Sequence, residues 1–153
     1  MAAKLLSSDE LALGRVVLLA TDTLNMNAEG ALWLYDKTDD EWRFFLVTSL
    51  FERIDPREVY LCLNEALAKI LSEKEAGDLR LYIAAPTEEL VKQLLGQITT
   101  ASRVSEPRHI KVKVNGKHTD AFVYRLTRGL ATDQAKRVQR RFRKSCRELA
   151  ATA

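Results

Sequence analysis

The sequence is poor in the residues that staple, punctuate or catalyse. Its 153 residues include two cysteines, two histidines, three prolines and six glycines. Cys62 and Cys146 form no CxxC motif and no Cys/His cluster, so a structural zinc site has no ligand set. They read as free, buried thiols of a reducing compartment. His109 and His118 have no Cys, Asp or Glu at metal-ligand spacing, and neither is expected to serve as a catalytic base. GxSxG, HExxH, P-loop and GxGxxG motifs are missing. The reading is therefore non-enzymatic, with no metal and no cofactor.

Long apolar runs are also missing. Stretches such as Val16 to Ala20 and Phe44 to Val47 fall far short of the roughly 20 residues that span a bilayer. The first residues show no apolar h-region and no cleavage site. No membrane association is expected, and the expected location is cytoplasmic. There is no internal repeat and no low-complexity segment.

What is present is a core and a lopsided charge. The chain is 46% hydrophobic and 29% charged, too apolar for a disordered polymer and long enough for one folded domain over 1–153. Its net charge of +3 is a cancellation. Residues 1–102 hold ten Lys/Arg against seventeen Asp/Glu, a net of −7; residues 103–153 hold fourteen against four, a net of +10. Such asymmetry points to an anionic partner or to self-association.

Periodicity supplies the elements. A helix starts near Ser8 or Asp9, with Ser7 and Ser8 available to accept from its first amides and Asp9 and Glu10 at its positive end. Ala31–Asp36 and Trp42–Leu50 read as a hairpin with an acidic tip, each strand apolar on both faces. Asp55-Pro56 opens a helix expected to run to Gly77 as its C-terminal cap. Leu79–Ala85 is a short strand, and Thr87 caps the next helix. Thr99–Pro107 is the polar connection at which the charge changes sign. Asn115-Gly116 marks a second hairpin. A two-residue turn sets Val112 opposite Thr119; a bulged three-residue turn would place the valines with Phe122 and Tyr124, and the two remain open. Thr132 caps a long C-terminal helix. The order αββαβαββα describes an α+β domain with a mixed, five-stranded sheet packed against helices, with both strand–helix–strand units favouring parallel crossovers.

The C-terminal helix carries the clearest functional signal. At 100° per residue, Ala135, Val138, Phe142, Cys146 and Leu149 form one stripe, and Lys136, Arg140, Arg143 and Arg147 lie opposite. Arg137 and Lys144 extend that face and Arg141 flanks it. A one-sided basic ridge suits nucleic-acid phosphates, and Arg103, Arg108, Lys111, Lys113, Arg125 and Arg128 extend it if the last hairpin lies nearby. The bland alternative is a solvated face, or one docked on the acidic part of a second copy. No RRM-like or KH-like signature accompanies the patch.

A competing reading is a protein-interaction module or homodimer. Trp33, Tyr35, Trp42 and Phe44 crowd one hairpin, and they become interface candidates if helices cover only one sheet face. Asp36, Asp39, Asp40 and Glu41 read as a polar turn rather than a metal site. Glu52, Arg53, Asp55, Arg57 and Glu58, where a parallel strand ends and a helix begins, read as a surface loop, although ligands often bind at such ends.

Overall fold

The computed structural model describes residues 5–100, 106–128 and 132–151. The elements are α1 (Ser8–Thr23), β1 (Gly30–Asp36), β2 (Glu41–Val47), a 3-10 turn (Ser49–Glu52), α2 (Pro56–Ala68), α3 (Glu73–Asp78), β3 (Leu81–Ala84), α4 (Glu89–Leu95), β4 (Arg108–Val114), β5 (Lys117–Leu126) and α5 (Thr132–Ala151). The α+β class and the order of elements are as expected, with the second helix split in two. That split has a local cause. Ser72 accepts from the Glu75 amide while Glu75 reaches back to the Ser72 amide, a reciprocal cap that starts a new helix. Gly77 consequently lies inside α3 rather than ending α2.

The five strands form one mixed sheet in the order β3-β2-β1-β5-β4. β2 and β3 are parallel through the α2 crossover, and the remaining neighbours are antiparallel. The second expected parallel crossover is not realised. β3 and β4 sit at opposite edges, and following the pairings across the sheet makes them antiparallel. The α4 connection therefore spans the whole sheet.

Helices lie against both faces. On the first, α1, α2 and α5 bury Trp33, Phe44, Leu46, Ile83 and Tyr124; on the second, α4 sets Val91 and Leu94 over Leu32, Val47, Val123 and Leu126. All four hairpin candidates lie on the first face, beneath α1, α2 and α5. Trp33 and Phe44 are 0% exposed, Trp42 7% and Tyr35 8%, and edge-to-face or tilted ring contacts join Trp33 to Phe44 and Tyr35 to Trp42. All four interface candidates are core residues, not surface ones.

Close packing on the first face depends on Gly14. A β-carbon there would stand 2.8 Å from Trp33 Nε1 and nearer still to the Tyr124 ring. The bare backbone lets α1 approach the sheet, where the Tyr124 hydroxyl donates to the Leu11 carbonyl. Burial pushes the Tyr124 hydroxyl up to about 12.

The second hairpin adopts the two-residue turn. Asn115 and Gly116 have φ of 52° and 81°, and Val112 faces Thr119. The valines join Ala121 and Val123 on the α4 side, so the bulged alternative is excluded. Along the outer edge of β4, Gln97 accepts from the Lys113 amide and donates to the Lys113 carbonyl, both at 2.7 Å. A side chain just past the end of α4 thereby occupies backbone groups that a sixth strand would take.

The two cysteines are not free. Cys62 of α2 and Cys146 of α5 form a disulfide, their Cα atoms 5.8 Å apart. Both lie on the stripes by which their helices pack, and the helix crossing brings them within bonding reach. The free-thiol ground for a reducing compartment is removed. Among the described residues, no helix is long and apolar enough to cross a membrane.

Candidate functional site

α5 packs on the first-face core between the 3-10 turn with α2 and the end of α1, and its sequence accounts for the seating. Phe142 is fully buried, Ala135 nearly so, and Val138, Cys146 and Leu149 pack against the same core. One flank is tied to the 3-10 turn and α2. Arg53 Nε donates to Gln139 Oε1 at 2.9 Å, Arg143 Nε donates to Glu58 Oε1 at 3.3 Å, and the disulfide lies beside them. The other flank meets the end of α1, where Asn25 Nδ2 donates to Ser145 Oγ at 2.9 Å. The loop residues Glu52 to Glu58 are spent on this framework: Glu52 accepts from Thr87, and Asp55 caps α2 through the Arg57 amide. Those hydrogen bonds, chiefly the Arg57 amide, pull the Asp55 carboxyl below its ordinary range.

The 3-10 turn beneath α5 rests on a buried acid. Glu29, 2% exposed, accepts from the Ser49 amide at 2.9 Å and the Ser49 hydroxyl at 2.7 Å. Burial pushes its carboxyl up to about 7, against the lowering effect of the Ser49 hydrogen bond.

Between Lys136 and Arg147 the charged residues on the outer side of α5 are all cationic. Lys136, Arg137, Arg140, Arg141, Lys144 and Arg147 are exposed, and none forms an ion pair among the described residues. Arg143, grouped with them by the helical wheel, is instead paired with Glu58. From Lys136 to Arg147 the helix rises roughly 16 Å at about 1.5 Å per residue.

The expected extension of the ridge is only partly present. Arg125 is 5% exposed. It forms a two-pronged ion pair with Asp22, at 3.1 and 3.0 Å, and donates to the Ala28 carbonyl. A bulge in β5 is the cause. Ala31 pairs with Arg125 but Leu32 with Val123, so Tyr124 is an extra residue. From that point the alternation is reversed, turning Arg125 toward the α1 side and Leu126 toward α4. Arg108, Lys111 and Lys113 are exposed on edge strand β4. Arg128 is exposed just beyond β5, and Arg103 lies outside the described residues.

Neither histidine joins a converging set of reactive groups. His109 stacks on Phe122 with ring centroids 4.7 Å apart and contacts Asp120 at 3.0 Å; His118 is exposed near the hairpin turn. The acidic tip of the first hairpin is internally balanced. Arg43 contacts Asp36, Asp39 and Glu41, and Arg80 pairs with Glu41 at 2.9 Å. Among the described residues no cluster of three or more His, Cys, Asp or Glu could hold a metal ion.

No family model, curated protein or solved structure matches this chain. Its chemistry is read from its own surfaces.

Proposed function

We propose that the chain is a small binding module whose C-terminal helix contacts the phosphate backbone of nucleic acid. The observation that carries this reading is the division of labour among its arginines. Arg43, Arg53, Arg125 and Arg143 are engaged within the fold, whereas six exposed cations of α5 form no ion pair among the described residues. A helix seated by Phe142, a disulfide and three side-chain hydrogen bonds presents Lys136, Arg140 and Arg147 along one line, with Arg137, Lys144 and Arg141 beside it. Guanidinium groups in such a line bind phosphate oxygens in a two-pronged manner and release counterions. The ridge is complete in one copy, so binding does not require a dimer.

The test is a fluorescence-anisotropy titration of labelled duplex and single-stranded oligonucleotides. The wild type is compared with the fourfold variant Arg137→Glu, Arg140→Glu, Lys144→Glu, Arg147→Glu and with Lys92→Glu on α4. Binding by the wild type and Lys92→Glu, with at least about a hundredfold loss in the fourfold variant, supports the reading. Equal binding by all three proteins, or none by the wild type at low salt, overturns it.

A further inference from the structure

The second face of the sheet is only partly covered. α4 is seven residues long, and toward the two hairpin turns the sheet beside it lies open as a trough of about 480 Å³. That volume falls within the range of about 300–1,000 Å³ typical of small-ligand sites. Every strand contributes to it: Leu34, Phe45 and Tyr82 supply the apolar floor, Val114 and Thr119 continue it to the β4 edge, and Leu90 of α4 forms a wall. Tyr82 stacks at a tilt against Phe45, centroids 5.1 Å apart, yet stays 41% exposed. A large aromatic left open in a concave apolar site is an unmet packing demand.

The charges around the trough set the sign of what it takes. Asp36 accepts from the Thr38 and Asp39 amides and contacts Arg43 at 3.4 Å. Glu88 accepts from the Ala85 amide at 2.7 Å and the Tyr82 hydroxyl at 3.2 Å. Arg43 is already committed to Asp39 at 2.6 Å. Lys37 and Lys117, one beside each hairpin turn, line the trough and form no ion pair among the described residues. The lining thus joins an apolar floor to two uncommitted ammonium groups.

We propose that the trough binds a small organic monoanion, a carboxylate on an apolar body of about eight carbons. The body covers Leu34, Phe45 and Tyr82, and the carboxylate meets Lys37 and Lys117. This site is separate from α5 and stands whether or not the nucleic-acid reading does.

Octanoate, 1-octanol and octylammonium are the probes, titrated below their aggregation limits and followed by amide chemical shifts in two-dimensional NMR. A ligand of this size is expected to bind with Kd on the order of 1 mM. Shifts from octanoate should be confined to the trough, with octanol about fivefold weaker and octylammonium weaker still. Lys37→Glu with Lys117→Glu should weaken octanoate about tenfold while leaving octanol unchanged, and Tyr82→Ala should weaken both. No octanoate shifts in the trough, octanol binding as tightly as octanoate, or a double charge reversal without effect each overturns the proposal.

Discussion

Replacing Glu29 with glutamine removes a titration while keeping its hydrogen bonds. The amide oxygen can accept from the Ser49 backbone N–H, and the amide nitrogen can donate to the Ser49 hydroxyl, the two partners the carboxylate has now. Burial raises the Glu29 carboxyl from 4.5 to about 7. A folded-state value above the unfolded one means that the folded chain holds the proton longer. Below pH 4.5 the group is protonated in both states and exerts no penalty. As pH rises toward 7 the unfolded chain ionises first, and folding stability falls. Above 7 the loss levels off at about 3 kcal/mol, from 1.36 kcal/mol per pKa unit. Urea unfolding of wild type and Glu29→Gln at pH 4.5, 6 and 7.5 isolates this contribution, because every other titrating group is common to both. The two proteins should match near pH 4.5, and the variant should be more stable by about 3 kcal/mol at pH 7.5. A difference that does not vary with pH, or a variant weaker at pH 7.5, would refute the burial argument.

Two further perturbations test the packing. The Cys62–Cys146 disulfide closes a loop with a sequence separation of 84, so reduction should lower stability by roughly 4–5 kcal/mol. Thiol titration of the denatured, unreduced protein should find no free thiol; two per chain would contradict the link. Gly14→Ala should destabilise by about 1–3 kcal/mol through its clash with Tyr124 and Trp33, even though alanine favours an exposed helix by about 1 kcal/mol. A urea midpoint equal to or above that of the wild type would show that α1 does not approach the sheet so closely.

Local signals in the chain were legible, and long-range ones were not. Ser7 with Glu10 marks the start of α1, and both side chains act there as caps. Asn115-Gly116 needs two left-handed residues in a row, which identifies the turn though not which register follows. The seam of α5 was readable because five apolar positions repeat on one side of a long helix. Ser72-x-x-Glu75 is an equally local signal for the break between α2 and α3, and it outweighs Gly77 as a helix end. Other features depend on partners far along the chain. The order β3-β2-β1-β5-β4 follows from an edge-to-edge α4 connection that no local pattern encodes. The Tyr124 bulge reverses the inward and outward sides for Arg125, whose partner Asp22 comes from α1. The cysteine pair exists only because α5 crosses α2. Burial of the hairpin aromatics depends on α1, α2 and α5 packing on the one face those four side chains share.

The salt dependence of oligonucleotide binding tests the central claim most directly. If the outward cations of α5 neutralise four to five phosphates, log K against log salt concentration should fall for duplex DNA with a slope of about −4. The Arg137, Arg140, Lys144 and Arg147 reversal should bring that slope close to zero. A flat wild-type line, or the same slope in both proteins, would mean that the arginine ridge is a solvated face and not a binding surface.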